Sequence, residues 1–417
     1  MKKNKKKHII IWAILLSVFV IVAVAIYIFT RFGGFGTGEH ANADEFAAYV
    51  GAVEDITVPE DARVIALGEA THGNAEFQQL KLGVFKTLVE NEGVRAFALE
   101  GDYGGCEQVN RYIHGGTGTA AEAAAAIGFA IYRTDEMASL ISYMREYNDT
   151  AAPGDDLRFY GFDMQRYAYS FDFLVEECRK LGVDTKGLEQ LMDGEEWNGE
   201  YDISARTERI NQIKSELESK DNSAQAVHLA DVLLQNFVLQ SGADADYAVL
   251  RDQMMAENVH WISQQEATLG CERIFVSGHN GHVAKWGSYD AMGKLLADEL
   301  GEGYYAIGTD FYKTCCNMPT SSGKRTKQVF YSHDPLANAA HDAGLDICWL
   351  DFAKVPESSE LAEEISGYTF MGSLGEGYGF YMRLLPPSYR IFQPPETLYD
   401  SMIFVNEANP TEILSEN

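Results

Sequence analysis

The residues best suited to chemistry fall in four short motifs, each directly after an apolar run. They are Gly68-Glu69-Ala70-Thr71-His72-Gly73, Glu100-Gly101-Asp102, Asp163-Met164-Gln165 and Gly278-His279-Asn280-Gly281-His282. Carboxylates beside imidazoles suit general-base chemistry. An imidazole with a pKa near 6.5 can take a proton from water at neutral pH, and a carboxylate can orient it and stabilise the imidazolium. Each motif alone says little, since a loop Glu is usually solvated and a lone His is more often structural. Other chemistries lack a signal. No Ser has Gly two residues before and two after it, as a nucleophile elbow requires. There is no H-E-x-x-H, no Walker A sequence and no helix-opening G-x-G-x-x-G, and Gly375-Glu376-Gly377-Tyr378-Gly379 reads as a turn. Glu69, His72, Glu100, His279 and His282 also offer nitrogen and oxygen ligands for zinc or iron, but without a standard metal spacing.

These residues need elements that bring them together. Residues 63–68, 94–99, 157–162 and 273–277 read as buried strands, and each runs into one of the four motifs. Residues 74–92 carry Phe77, Leu80, Val84 and Leu88 at helical spacing, with Gly93 as a stop. Lys81 lies about two turns into that helix, where it can point back toward the strand ends. Further strands are expected at 304–308, 328–331 and 346–350, and helices at 120–126, 135–147 and 292–300. From about 170 to 266 the strand signal gives way to helical stripes such as Leu229, Val232, Leu233 and Phe237. The alternation predicts an α/β fold: a largely parallel central sheet flanked by helices, with a helical insertion or cap. In a parallel sheet the four motifs converge at the carboxyl edge, where ligand crevices form.

The chain has 62 acidic against 33 basic residues, a net charge of −29, which excludes nucleic-acid binding through bulk charge. Residues 1–31 hold six basic residues and no acidic one, leaving 27 basic against 62 acidic beyond them, a net −35. Residues 9–29 are apolar apart from Ser17, and as a helix they span about 31 Å, the thickness of a bilayer core. Residues 1–8 then form a cytoplasmic basic tip, 9–29 a single transmembrane anchor, 30–44 a flexible glycine-rich linker and 45–417 an extracellular α/β domain. Ala41-Asn42-Ala43 has the form of a cleavage site. It lies far beyond an apolar run already longer than a signal peptide's, which favours an uncleaved anchor. Six cysteines include no C-x-x-C, so no zinc knuckle is signalled.

Residues 67–77, reading Leu-Gly-Glu-Ala-Thr-His-Gly-Asn-Ala-Glu-Phe, resemble the signature of the erythromycin esterase family. Ala98-Leu99-Glu100, Asn110-Arg111-Tyr112, Tyr132-Arg133-Thr134, residues 159–165, Arg251-Asp252 with Met255-Ala256-Glu257-Asn258, residues 278–282 and Tyr399 to Phe404 follow in the family's order. The resemblance implies a hydrolase that opens ester bonds, macrolide lactones in antibiotic resistance among them, with activated water and no acyl-enzyme. It implies His72 as general base, Glu69 as its partner, and Glu100 and His282 in the catalytic set. Lys81, His279, Asp163 and Arg251 form the expected substrate-binding set, with Lys81 and one of the two later histidines stabilising the oxyanion. The expected partners are a small-molecule ester and, through the N-terminal helix, the membrane. No cofactor is expected, though a divalent metal stays open. Haem-binding proteins among distant superfamily relatives leave a metal- or haem-binding envelope protein as the alternative, beside a non-enzymatic anchored binder.

Overall fold

The computed structural model describes residues 2–31, 37–188, 203–241 and 247–415. The strands are β1 (Val50–Gly51), β2 (Val64–Glu69), β3 (Ala96–Asp102), β4 (Arg158–Asp163), β5 (Ile274–His279), β6 (Tyr304–Pro319), β7 (Arg325–Tyr331), β8 (Ile347–Asp351), β9 (Thr369–Gly372), β10 (Arg390–Gln393) and β11 (Ser401–Ala408). Among the described residues nine of them form one sheet in the order β1-β8-β11-β6-β2-β5-β3-β4, with β7 paired to β6, and β9 and β10 form a separate pair. The six strands from β11 to β4 are parallel, whereas β1, β7 and β8 join antiparallel.

Both faces of this sheet are covered, so the central strands are apolar throughout and successive residues divide between two cores. Ile65, Leu67, Phe97, Leu99 and Phe275 face the helix Ala75–Asn91. Val64, Ala66, Ala96, Ala98, Ile274 and Val276 face the other way, toward the helices Ala224–Ser241 and Tyr247–Thr268. The first face is bulky, and Phe85, Phe97, Phe159 and Phe275 pack ring against ring. The second is mostly small, which lets the helical section lie close.

The expected helical section appears as helices Ala168–Leu181, Ile203–Leu217, Ala224–Ser241 and Tyr247–Thr268, while 189–202 and 242–246 lie outside the described residues. One strand expectation needs correction, and one central strand was not anticipated. β6 does not stop at Gly308 but runs on to Pro319, because it finds a late antiparallel partner in β7. The run at 401–408 is a central strand, inserted between β8 and β6.

The first helix is Lys2–Arg31, with side chains described for residues 11–26, all of them exposed. Among the described residues no helix is long and apolar enough to cross a membrane. Part of the stretch read as a linker over 30–44 is described. Arg31 ends the first helix, 32–36 lie outside the described residues, and the chain from Thr37 onward is docked. Asn338 Nδ2 donates to the carbonyls of Thr37 and Glu39, and Ala41 N–H donates to Pro335 O. Asn42 caps the helix Ala43–Tyr49 by accepting from Asp44 N and Glu45 N.

Candidate active site

The four motifs meet at one edge. β2, β5, β3 and β4 are neighbours in that order, Glu69 is in register with His279, and Asp102 with Asp163. Asn280 explains the glycine before Glu69. Its side chain occupies the place of a Gly68 Cβ, only 2.1 Å from where that atom would sit. Asn280 Nδ2 donates to Thr309 O at 2.7 Å, and Thr309 Oγ1 joins Gly68 O to Ala70 N. The turn that carries Glu69 and His72 is therefore pinned from β5 and β6.

His72 Nδ1 lies 3.2 Å from Glu69 Oε2. With a carboxylate as partner, Nδ1 is the donor, and the Nε2 lone pair is left for a substrate or water proton. Nε2 has no hydrogen-bond partner among the described residues. Burial lowers the His72 pKa, but the hydrogen bond and charge of Glu69, with Glu100 behind it, outweigh burial and raise it above the ordinary value. Glu69 moves the other way. Burial opposes its ionisation, yet Lys81 and His72 together hold its pKa below normal.

Lys81 does not reach the substrate side. It is fully buried, with Nζ 3.0 Å from Glu69 Oε2 and 3.1 Å from Gln78 Oε1, while Gln78 Nε2 donates to Glu69 Oε1 at 3.0 Å. The expected oxyanion donor is instead the clamp that fixes Glu69. The helical position two turns into Ala75–Asn91 aims it at Glu69 from behind. Gln78 was not anticipated, although it lies one turn before Lys81 on the same face.

A second knot surrounds Arg251. Its Nη2 donates to Glu100 Oε1 at 2.7 Å and to Asp163 Oδ2 at 2.6 Å, and its Nε donates to the same Asp163 oxygen at 3.2 Å. Asp163 is fully buried, so it supports Arg251 and cannot be a substrate contact. In its neutral form His282 accepts from Arg251 Nη1 at 3.1 Å through Nε2 and donates from Nδ1 to Asp252 at 2.7 Å. Asp252 also accepts from Tyr289 Oη and Met292 N. It was missed because it reads as one acid in a helix, and only the fold turns it toward His282. Burial opposes charge on His282, but Glu100 and Asp252 raise its pKa. Glu100 is buried too, yet His282 and Arg251 hold it far below the carboxylate range.

His279 is the imidazole nearest His72, with ring centroids 5.1 Å apart, and His282 lies 6.2 Å beyond it. Gly281 N–H donates to His279 Nδ1, and His279 Nε2 donates to Leu374 O at 3.1 Å. Both ring nitrogens are thus committed to a neutral tautomer. Burial, with the positive charges of His72 and His282, lowers its pKa to about 3. His279 N–H also donates to Glu100 Oε2 at 2.7 Å. Among the described residues, no three His, Cys, Asp or Glu side chains converge as a metal site would require.

The sequence model described as erythromycin esterase matches residues 89–408. The chain belongs to the erythromycin esterase family. That match takes in Glu100, Asp163, Arg251, His279 and His282, while Glu69, His72 and Lys81 precede it. Two curated proteins are similar to this family member. Erythromycin esterase type II of Escherichia coli is 24% identical over 351 residues, covering 71% of this chain and 82% of that protein. Putative hydrolase YbfO of Bacillus subtilis (strain 168) is 24% identical over 315 residues, covering 64% and 68%. A Bacillus cereus protein of known structure superposes with a TM-score of 0.73 at 18% identity, over 90% of this chain and all of that one. The erythromycin esterase EreC, as a mutant in an open conformation, gives 0.59 at 16% identity, over 86% of this chain and 93% of that one. At these identities the structures establish the shared α/β fold.

Proposed function

We propose that this protein hydrolyses carboxylic esters, macrolactones among the candidates, by a single attack of water activated at His72, and that a single-pass anchor holds it at the cell membrane. The observation that carries this is the Glu69–His72 pair, with Nδ1 bound and Nε2 unengaged. Nε2 removes a proton from water, and the resulting hydroxide adds to the ester carbonyl. The Nη1 of Arg251, which keeps a second N–H beside the one given to His282, is the donor for the oxyanion, a role worth roughly 3 kcal/mol for a well-placed donor, and His282 holds that guanidinium in position. Collapse breaks the acyl C–O bond, and the imidazolium returns its proton to the departing alkoxide, giving acid and alcohol. The name of the Escherichia coli relative supports ester hydrolysis, and that of the Bacillus subtilis relative supports hydrolysis.

The apolar stretch 9–29 behind five lysines supports the anchor, with the N-terminus cytoplasmic and the catalytic body outside. The place of Ala41-Asn42-Ala43 supports an uncleaved one: Ala41 is buried and Asn42 is a helix cap, so no exposed strand is offered there. The test is a hydrolysis screen of the full chain against macrolactones and acyl esters, with His72→Asn as the paired variant. Loss of a general base is expected to cost about 10²–10⁴ in rate. Undiminished turnover by His72→Asn overturns the assignment.

A further inference from the structure

The excursion between β9 and β10 starts at the site and ends in exposed apolar surface. Its second residue, Leu374, pairs with Thr71 and gives its carbonyl to His279. Further along, Phe380, Tyr381, Leu384 and Leu385 are 68%, 56%, 58% and 50% exposed. Four neighbouring exposed large apolar side chains need a partner that is not water.

Three observations point to the same partner. First, residues 368–393 hold one acidic residue, Glu376, against Arg383 and Arg390, in a body of net charge −35, so this segment escapes the repulsion that the acidic body as a whole exerts on an anionic lipid surface. Second, only residues 32–36 separate the end of the first helix from the docked Thr37, and six Cα steps reach at most ~20 Å. The body is therefore held against whatever the first helix enters. Third, Leu384, Leu385 and Pro386 share a concavity of about 450 Å³ with Val22, Ala25 and Ile26 of that helix. These helix positions lie three to seven residues before Phe29, or about 5–10 Å below the outer end of the apolar stretch. Interfacial apolar side chains rest at that depth.

We propose that residues 380–387 insert into the outer leaflet beside the active-site mouth, and that the substrate is an amphiphilic ester partitioned into that leaflet. This rests on the anchored-hydrolase reading above. The test uses the full chain reconstituted in vesicles. A W12F/L384W variant is read against W12F, so that the difference in emission, free of the native Trp197, Trp261, Trp286 and Trp349, reports residue 384. That difference signal is expected to be quenched by brominated phospholipid and shielded from aqueous acrylamide. Quenching by acrylamide alone, or by neither agent as in contact with a second protein copy, overturns insertion. In parallel, L384D/L385D is expected to lower kcat/KM about tenfold on a long-chain ester dissolved in the vesicles, from the lost apolar burial, and to leave a water-soluble acetyl ester within about twofold. Equal change on both esters, or none on either, overturns the substrate class. If the wild-type chain hydrolyses neither ester, the hydrolase reading fails, and the quenching still decides insertion.

Discussion

Two pairs of buried acids in this protein meet opposite electrostatic fates. Glu100 and Asp163, at the ends of β3 and β4, share the Arg251 guanidinium, and Glu100 stays ionised far below the carboxylate range. Asp310 on β6 and Asp334, the cap of the helix Pro335–Asp342, are just as buried. Asp310 takes its hydrogen bonds from neutral donors: Ser332 Oγ at 2.6 Å, Phe311 N and Gly372 N. Burial pushes Asp310 up to about 7, while burial and the charge of Asp310 raise Asp334 well above normal. Burial alone opposes ionisation of both Glu100 and Asp310; the hydrogen-bonded cation beside Glu100 decides which of the two carries charge. The charged pair sits where chemistry is proposed, and the protonated pair lies under the docked N-terminal strap.

Arg251→Leu would break this contrast most severely by turning the first pair into the second. Two buried carboxylates would lose their cation, and denaturation at pH 7 is expected to show a loss of about 3–5 kcal/mol. An added Asp163→Asn should restore part of it, and no restoration would contradict the pairing. The next effect is on stability against pH. Glu100 has a lowered folded pKa, so its contribution is present above the unfolded value and lost as pH falls below it. Asp310 has a raised one, so its contribution is present below the unfolded value and lost as pH rises through about 7. Asp310→Asn should therefore flatten the decline between about pH 4 and 7, by an amount on the order of a few kcal/mol. An unchanged slope would show that the pair is not protonated.

The smallest effect sharpens the intermediate case, Glu69, an acid with both a cation and an imidazole. Because His72 must be neutral to act and its pKa is raised, the acid limb of kcat/KM should lie above pH 6.5. Glu69→Gln should move that limb to lower pH as it lowers the rate, since the hydrogen bond and charge that raise the His72 pKa are lost. A limb that stays in place would separate Glu69 from the titration of His72.

Much of the site was legible because strand ends are local signals. Apolar runs followed by Glu69, Glu100, Asp163 and His279 could be read one at a time, and parallel strand direction brought them together. What stayed hidden came from distant elements. Gln78 carries no motif of its own, Asp252 lies in a motif that gives no hint of its partner His282, and Lys81 and Asp163 seemed to face substrate until burial put them behind it. β11 was missed because its role as a central strand depends on β6 and β8, about fifty to a hundred residues earlier in the chain.

By itself, the sequence determined the apolar runs, their period, the polar groups that end them and the uneven charge of the two parts of the chain, because these follow from local composition. Tertiary structure alone decided which acid meets which cation, and so which groups are charged. Coulomb energy and desolvation depend on distances and burial between residues such as Glu100 and Arg251, which stand 151 positions apart.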